Sequence, residues 1–418
     1  MKILIVCDSC SRKHGVTKSV LSIAQILGKT EQIQLFPLFP LFTKGDSRFE
    51  SNIFITQKKF TIRFIFGVFK NFPTSFKIVK QYINPFSARG IIYFIEILFN
   101  SSFLDIILRD GKPDIVHVHS ILLENITLID TFLSKNIPFV VTAHGFYSHD
   151  PKIKIFYDSK LEQEILNKLV NEKILISTVS RNAKNIAIKN FHLPPESISV
   201  ISNGINLERF NPRIHPSRQE VRRKYGIPEK KIIILQVGTL SKRKNQIAVL
   251  EAISKMPAFL KEKIYYIAVG GGEEKSILLE FCRKHNIEHL CAFPGQLPDM
   301  DLEGLYLASD FFILPSTSEG LALVTLEAMA AGLPIISYEA LEGISDIFHP
   351  DYMQLIPSRD TMDIVSSIKM AIERKWDKKK IKQYVKNWTW DKPCQEYLAL
   401  YKLAIKNSQR KIDKTMYK

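Results

Sequence analysis

Hydrophobic residues along the chain are concentrated in short, β-branched runs, and stretches with the length and polarity of amphipathic helices separate these runs. Such runs are typical of strands in a parallel sheet that is covered on both faces. Six runs fall in each half of the chain, at 2–7, 33–39, 114–120, 139–145, 174–180 and 199–204, then at 232–238, 264–272, 289–295, 311–316, 334–339 and 352–357. The alternation predicts an α/β protein.

A charged segment with three prolines, 211–231, separates the two sets of runs. Segments of this composition are typical of connections between domains. The sequence therefore predicts two Rossmann-like domains that face each other across a deep cleft. Ligands of such sheets bind beyond the carboxyl ends of the strands, so we expect functional residues where the runs end and in the loops that follow.

Composition narrows the class of protein. The 418 residues carry 58 Lys and Arg against 42 Asp and Glu, a formal charge of +16, which favours phosphates, nucleic acid or an anionic membrane as partners. Five scattered cysteines are too few for a disulfide framework and fit a reducing cytoplasm. The first residues predict a strand rather than a signal peptide, and no apolar run approaches the roughly 20 residues that span a bilayer.

The stretch 311–337 combines a buried strand, a loop with a glycine and a helix that begins near Leu321. Glu319 lies at the mouth of that helix and Glu327 follows eight residues later. Eight residues advance a helix by about 12 Å, so two carboxylates at this spacing reach different parts of one extended ligand. The helix N-terminus meanwhile offers N–H groups to a phosphate.

This stretch resembles the signature of the retaining nucleotide-sugar glycosyltransferases of family 4, which have the GT-B fold. The resemblance implies that Glu319 contacts the donor sugar and that Glu327 binds the ribose hydroxyls of the nucleotide. It also implies that the backbone amides of Gly320 and Leu321 hold the diphosphate. Ala322 stands where the family usually has a glycine.

The loop after the run at 232–238 supplies a second match. Gly238 permits a tight turn from strand to helix, and three cations follow at 242–244, where a leaving diphosphate needs its charge neutralised. By resemblance, Lys244 is the conserved lysine of the family pattern. Thr239 replaces the family's arginine, which leaves Arg243 or its neighbour Lys242 as a substitute. Alone, such a run of cations is more often a solvated surface.

Further matches extend the predicted site. By resemblance, Gly271 packs near the nucleotide, the loop that contains Phe293 contacts the base, and Gly15 lets the first loop approach the acceptor. His117, His119 and His144 end predicted strands and are expected to face the cleft, although a histidine at such a place is more often packed than catalytic. We favour His144, because the family has a histidine there near the reacting sugar. The predicted catalytic residues are thus His144, Glu319 and Lys244.

The resemblance implies three regions: an acceptor-binding domain at 1–205, a nucleotide-sugar-binding domain at 206–388, and a helix with a basic tail at 389–418 that crosses back to the first domain. The implied reaction moves a sugar from a UDP-sugar, or alternatively a GDP-sugar, to a saccharide or lipid-linked acceptor in bacterial surface polysaccharide assembly, such as lipopolysaccharide, O-antigen or capsule. Neither a metal nor a cofactor is expected, because the cations neutralise the leaving group. A nucleotide-sugar epimerase and a non-catalytic binding protein are the alternative functions.

The segment 54–103 is rich in both aromatic and basic residues. Eleven phenylalanines alternate with seven Lys or Arg residues, and Glu96 is the one acid. Such a mixture fits either a bilayer interface or core helices with a basic outer face. No nucleic-acid-binding motif accompanies the positive charge. We therefore expect a cytoplasmic protein, with the cytoplasmic face of the inner membrane as an alternative location.

Overall fold

The computed structural model describes residues 1–9, 15–39, 48–50, 52–56, 61–146, 160–319 and 321–416. The chain forms two compact units. Unit 1 contains Met1–Asn203 and Trp390–Lys418, and unit 2 contains Gly204–Thr389. The chain thus passes from one unit to the other at 203/204 and at 389/390, next to the predicted boundaries at 205/206 and 388/389.

Strands and helices alternate along the described residues. The strands are β1 Lys2–Ser9, β2 Gln32–Phe39, β3 Arg48–Glu50, β4 Ile53–Ile55, β5 Ile115–His119, β6 Phe139–Ala143, β7 Leu175–Thr178, β8 Ile198–Val200, β9 Ile232–Val237, β10 Ile264–Val269, β11 Cys291–Gly295, β12 Phe311–Leu314, β13 Ile335–Tyr338 and β14 Met353–Ile356. The α-helices are α1 Gly15–Leu27, α2 Ile62–Tyr82, α3 Ala88–Asp110, α4 Ile126–Ser134, α5 Lys160–Asn171, α6 Arg181–Phe191, α7 Arg218–Lys224, α8 Gln246–Lys255, α9 Ala258–Lys261, α10 Lys275–Lys284, α11 Asp299–Ala308, α12 Leu323–Ala330, α13 Thr361–Glu373, α14 Lys378–Val385 and α15 Asp391–Met416.

Unit 1 is built on an eight-stranded sheet in the order β3-β4-β2-β1-β5-β6-β7-β8. Its strands are parallel except for the antiparallel pair β3 and β4. The strand order reverses between β1 and β5, which pair with each other. This reversal is the switch point at which open α/β sheets bind ligands.

Unit 2 is built on a six-stranded parallel sheet in the order β11-β10-β9-β12-β13-β14. Its switch point lies between β9 and β12. All six residues of β10 are buried, because helices cover both faces of a parallel sheet and each face then needs apolar side chains. Each of the twelve predicted runs overlaps one strand of the two sheets, so the predicted α/β class is confirmed.

Helix α15 belongs to unit 1, although it follows unit 2 in the sequence. It packs against β5, β6 and α1. Buried Tyr397, Leu400, Tyr401 and Ala404 form its apolar stripe at the helical spacing of three and four residues. The prediction that the C-terminal helix returns to the N-terminal domain is therefore confirmed.

Helix α3 corrects one expectation from the sequence. Its 23 residues, with a mean hydropathy of 1.9 over 18 of them, are long and apolar enough to cross a membrane by length and composition. No apolar run of this length was expected from the sequence, but the helix continues through the polar residues 100–102 to Asp110. Half of the apolar window is buried, including the polar side chains of Asn100, Ser101 and Ser102, so α3 packs as a core helix of unit 1.

The loops after β9 and β10 approach each other so closely that one glycine has no room for a side chain. Gly270 has a φ of +148°, and a Cβ atom there would lie 2.0 Å from the carbonyl oxygen of Gly238. We expect Gly270→Ala to lower the free energy of unfolding by more than about 2 kcal/mol, as measured by urea denaturation.

Gly304→Ala is the matched control in the same unit. A Cβ atom at this position of α11 would meet Val221 at 3.5 Å, an ordinary contact. The control should leave stability unchanged or raise it by up to about 1 kcal/mol through helix propensity. Equal stability of the two variants would contradict the close approach.

Candidate functional site

The loops after β9 and β12 bring three charged side chains together at the switch point of unit 2. The Lys244 ammonium donates to Oε1 of Glu319 at 2.5 Å, and Nη1 of Arg243 lies 3.2 Å from Oε2. The Glu319 side chain is only 8% exposed. These residues were predicted from sequence as parts of one site, and the structure brings them into contact.

Hydrogen bonds between the two loops hold this cluster in place. The backbone N–H of Thr317 donates to the Arg243 carbonyl at 2.8 Å, and Nη1 of Arg243 donates to the Ser318 carbonyl at 3.0 Å. Gly238 has a φ of +155°, and the Lys244 side chain passes 3.1 Å from where a Cβ atom of residue 238 would lie. The predicted role of Gly238 in a tight turn thus has a second reason, which is space for the lysine.

Two opposing effects set the pKa of Glu319. Burial raises it, but the charges of Lys244 and Arg243 outweigh burial, so the pKa lies below its usual value of 4.5. The carboxylate is therefore ionised at neutral pH. With two cations and one anion the cluster carries a net positive charge, which suits it to bind an anion beyond the strand ends.

Glu327 lies on α12 in a second, separate ion pair. Its side chain is buried, accepts a hydrogen bond from the Tyr306 hydroxyl at 3.1 Å, and lies 3.5 Å from Nη1 of Arg209. Arg209 also pairs with Glu303 at 2.7 Å. Burial lowers the pKa of Arg209, but Glu327 and Glu303 outweigh burial and the pKa is raised. Glu319 and Glu327 thus have different cationic partners.

Sequence reasoning missed Arg209. The segment 201–210 was part of the resemblance, but no role was assigned to this side chain. Asn206 begins the short 3-10 turn Leu207–Phe210 and caps it by accepting from the Glu208 N–H at 3.1 Å. Arg209 lies within this turn, and its place in the sequence does not reveal a carboxylate partner 118 residues away.

Gly271 follows β10, and Phe293 lies in the neighbouring strand β11. The Gly271 carbonyl accepts from the Leu240 N–H at 2.9 Å, and a Cβ atom on Gly271 would lie 3.5 Å from Gln296, which is an ordinary contact. The Phe293 ring is partly exposed and meets Tyr266 edge to face at 6.4 Å between centroids. Their predicted contacts with the nucleotide stay predictions.

Leu321, one of the two residues whose amides are predicted to bind the diphosphate, precedes α12. This helix begins at Leu323, two residues later than predicted, and its N-cap residue Ala322 provides no side-chain hydrogen bond. Leu321 is buried at 6% exposure. Gly320 lies outside the described residues, so the contact proposed for its amide stays a prediction.

Unit 1 places the three predicted histidines side by side, with the rings of His117 and His119 3.9 Å apart between centroids. Nδ1 of His117 lies 2.7 Å from the Tyr401 hydroxyl, and its Nε2 lies 2.7 Å from the Thr142 hydroxyl. Nδ1 of His119 lies 2.9 Å from Nε2 of His144. The cluster therefore connects the carboxyl ends of β5 and β6 to helix α15.

Two of the three histidines do not reach the surface at the strand ends, contrary to expectation. His117 and His119 are completely buried, whereas His144 is partly exposed. Residues 117 and 119 point to the same face of β5, and His117 there meets Tyr401 of α15. Gly15 begins α1, and a Cβ atom there would meet nothing within 4 Å.

The histidines are neutral near pH 7. Burial lowers the pKa of His144 to about 4 and, together with the His144 charge, that of His117 to about 3. Burial also lowers the pKa of His119 well below 6.5. Among the described residues, Nε2 of His119 has no hydrogen-bond partner. Because an unpaired buried donor is costly, we assign the His119 proton to Nδ1, which then donates to His144 and leaves the His144 proton on Nδ1.

Two cavities lie away from these residues, both in unit 1. One of about 290 Å³ is lined by residues that include Lys70, Asp105 and Lys135. The other, of about 540 Å³, is lined by residues that precede or begin β6 and β7, such as Pro138 and Ile174. Neither lies at the carboxyl ends of the strands. In the described part of the chain, no group of three or more His, Cys, Asp or Glu residues could hold a metal ion.

Two protein-family models match the chain. The model described as "Glycosyltransferase Family 4" matches residues 74–209, and the model described as "Glycosyl transferases group 1" matches residues 217–388. The second match contains Lys244, Glu319 and Glu327.

Individual proteins are similar over part or all of the chain. The putative teichuronic acid biosynthesis glycosyltransferase TuaC of Bacillus subtilis is 28% identical over 62% of this chain. The UDP-Gal:alpha-D-GlcNAc-diphosphoundecaprenol alpha-1,3-galactosyltransferase of Escherichia coli is 30% identical over 55% of it. The matches span 61% and 59% of these relatives, less than two thirds of either. The crystal structure of Anabaena HepE in complex with UDP has a TM-score of 0.62 and 17% identity, and the alignment covers 100% of both chains.

The Lys244–Glu319 pair predicts a stability difference between neighbouring lysines. Lys244→Met should lower the free energy of unfolding by about 3 kcal/mol, because it leaves a buried carboxylate short of a cation. Exposed Lys242→Met should change it by less than about 0.5 kcal/mol. The double variant Lys244→Met/Glu319→Gln should recover most of the loss in urea denaturation. Equal costs for the two lysine variants would contradict this pair.

The contribution of the Lys244–Glu319 pair to stability depends on pH. Because the pKa of Glu319 is lowered from 4.5, the pair stabilises the fold fully above pH 4.5, and this contribution is lost as the pH falls further.

The histidine cluster predicts a loss of stability in mild acid. The unfolded chain takes up protons near pH 6.5, whereas folded His144 and His117 do so only at their pKa values of about 4 and 3. Stability should be complete above pH 6.5 and should fall below it by about 1.4 kcal/mol per pH unit for each such histidine. Urea denaturation between pH 7 and 5 measures this slope. His144→Gln should reduce the slope, and the exposed control His289→Gln should not; a flat wild-type curve would contradict the assignment.

Proposed function

Because the chain belongs to glycosyltransferase family 4 and has the GT-B fold, we propose that it transfers a sugar from a nucleotide-diphosphate donor to an acceptor hydroxyl with retention of anomeric configuration. The observation that carries this proposal is the cluster of Lys244, Arg243 and Glu319 at the switch point of unit 2. A nucleotide diphosphate is an anion of the size and charge that such a cluster suits.

The proposed reaction exchanges one bond to the anomeric carbon for another. The bond between this carbon and the diphosphate oxygen breaks, and its electron pair leaves with the diphosphate. The acceptor oxygen forms the new bond on the same face of the sugar, and its proton goes to the departing phosphate. Lys244 and Arg243 lower the barrier because their charges are held in place where negative charge develops.

Glu319 has two roles in this proposal. Before the donor binds, its carboxylate neutralises part of the charge of Lys244 and Arg243 and holds both cations in place. When the diphosphate binds, the cations are shared with it, and Glu319 orients the hydroxyls of the donor sugar. Glu327 binds the ribose hydroxyls, and its pair with Arg209 keeps the carboxylate oriented on α12.

His144 acts from unit 1 as a neutral hydrogen-bond donor to the reacting sugar. Its low pKa of about 4 excludes a charged imidazolium at neutral pH. The hydrogen bond from His119 to Nε2 leaves Nδ1–H as the donor. We therefore assign His144 to positioning the sugar rather than to proton transfer.

The relatives support a donor and an acceptor class. The name of the Escherichia coli relative specifies a UDP-sugar donor and a diphosphoundecaprenol-linked acceptor, and HepE was crystallised with UDP. TuaC is named for teichuronic acid biosynthesis. We propose a UDP-sugar donor, a lipid-linked saccharide acceptor, and a cytoplasmic role in the assembly of a bacterial surface polysaccharide.

Ligand-dependent stabilisation tests the donor site. UDP should raise the melting temperature of the wild type, since a ligand at about a hundred times its Kd stabilises the folded state by about 2.7 kcal/mol. GDP, ADP and CMP serve as comparisons. Glu327→Gln should lose most of the shift with UDP because it loses the charge that orders the ribose hydroxyls.

Glu303→Gln is the matched control, because it too removes a carboxylate partner of Arg209. It should retain the shift with UDP whatever its own melting temperature. If no nucleotide stabilises the wild type, or if both variants respond alike, the donor site is placed wrongly.

A second experiment tests the reaction itself. Once a donor that binds is known, acceptors are screened and NMR of the product determines the anomeric configuration. Turnover of the donor without any acceptor would instead indicate the alternative function, a nucleotide-sugar epimerase.

A further inference from the structure

The outer surface of the hairpin formed by α2 and α3 exposes an unusual amount of apolar area. Nine of the nineteen large hydrophobic side chains that are exposed in the described part of the chain lie within 62–95. They are Ile62, Ile65, Phe66, Phe69, Phe72, Phe86, Ile91, Ile92 and Ile95, here called the hairpin surface. Ile62, Phe69 and Phe86 are 73%, 74% and 80% exposed. A concentration of this kind on one surface marks an interaction site.

The inner face of the same hairpin is well packed. Phe64 is buried, stacks on Phe103 at 4.5 Å between ring centroids, and meets Phe99 edge to face at 4.9 Å. On the outer face, Ile62, Phe66 and Phe69 follow one another at spacings of four and three residues, which places them in one stripe of α2. The hairpin thus has two apolar faces, of which the core of unit 1 covers one.

Aromatic contacts join the exposed side chains of the two helices into one surface. Phe72 of α2 meets Phe94 of α3 at 5.1 Å between centroids, and Phe76 meets the same ring at 5.9 Å. Phe76 also contacts Phe86 in the turn at 6.3 Å. The apolar surface therefore continues from α2 across the turn to α3.

Positive charge borders the hairpin surface. Lys77 and Lys80 on α2 and Arg89 at the start of α3 are exposed. Acids of the described residues also lie on or beside the hairpin: Glu164 of α5 accepts from the Tyr82 hydroxyl at 2.5 Å, and Glu96 lies on α3. Burial raises the pKa of Glu96 to about 7, so its negative charge is reduced at neutral pH.

We propose that the hairpin surface docks on a bilayer that contains anionic phospholipids. Its aromatic and aliphatic side chains enter the boundary between headgroups and acyl chains, and the bordering lysines meet the phosphates. Cations beside the apolar stripe fit this occupant, because anionic headgroups supply the complementary charge. The buried half of α3 keeps the hairpin on the membrane surface rather than across it. This docking goes beyond the proposed transferase reaction and does not rest on it.

Vesicle flotation tests the proposal with the full chain. Vesicles of phosphatidylcholine with phosphatidylglycerol should carry the wild type to the top of the gradient, and phosphatidylcholine alone should carry much less. Phe66→Asp/Phe69→Asp should lower the partition coefficient at least about tenfold, since two buried aromatic side chains are lost. Lys77→Gln/Lys80→Gln should lower it at least about tenfold on the anionic vesicles.

Phe259→Asp/Phe348→Asp is the matched control, because these phenylalanines of unit 2 are 53% and 39% exposed. It should float like the wild type. A second probe does not depend on an acidic substitution: Phe69→Trp should gain blue-shifted emission with anionic vesicles, and Phe259→Trp should not. Loss of flotation in the control as well, or an unshifted Phe69→Trp spectrum, would overturn the proposal.

Self-association is the rival occupant, and sedimentation without lipid distinguishes it. If the wild type is dimeric, fails to float, and becomes monomeric in Phe66→Asp/Phe69→Asp, the hairpin surface is a subunit interface and membrane docking is wrong. The flotation assay contains no nucleotide and the thermal shift contains no lipid. Failure of one proposal can therefore be told from failure of the other.

Discussion

A carboxylate that is withdrawn from water must find a cation, and this constraint governs the switch point of unit 2. Glu319 is 8% exposed and meets it with Lys244 and Arg243. The Lys244 side chain passes Gly238 on its way to Glu319, and a larger residue at 238 would clash with it. Hydrogen bonds between the loops after β9 and β12 also hold these loops in the register that the ion pair needs. Two cations surround one carboxylate, so the cluster has a net charge of +1. The arrangement that stabilises the fold is therefore also suited to bind an anion.

The two units stabilise buried polar side chains at their strand ends in different ways. In unit 2 the groups are charged and paired, which keeps Glu319 ionised. In unit 1 burial keeps His117, His119 and His144 neutral, and hydrogen bonds decide which ring nitrogen carries each proton. At the strand ends, paired charges are thus found in unit 2 and uncharged hydrogen bonds in unit 1.

Local patterns in the sequence predicted what depends on neighbours along the chain. The twelve runs became strands, and the predicted residues after β9 and β12 met at the switch point of unit 2 because parallel strands end at one edge. The short strands β3 and β4 were missed, since three residues give no measurable periodicity. The pair of Arg209 and Glu327 was missed because 118 residues separate its members. The exposure of Phe69 was undecided from sequence, because periodicity shows that a helix has an apolar face without showing what covers it.

Helix α15 has a consequence for the order in which the protein is completed during synthesis. Unit 2 is a continuous segment, whereas unit 1 needs residues from both sides of it. Nδ1 of His117 has the Tyr401 hydroxyl as its partner, and the Thr142 hydroxyl donates to the Tyr397 hydroxyl, so the centre of the first sheet lacks these hydrogen bonds until α15 leaves the ribosome. The unit that begins first is finished last, and a ribosome that stops before residue 391 releases a chain in which only the second sheet can be fully covered.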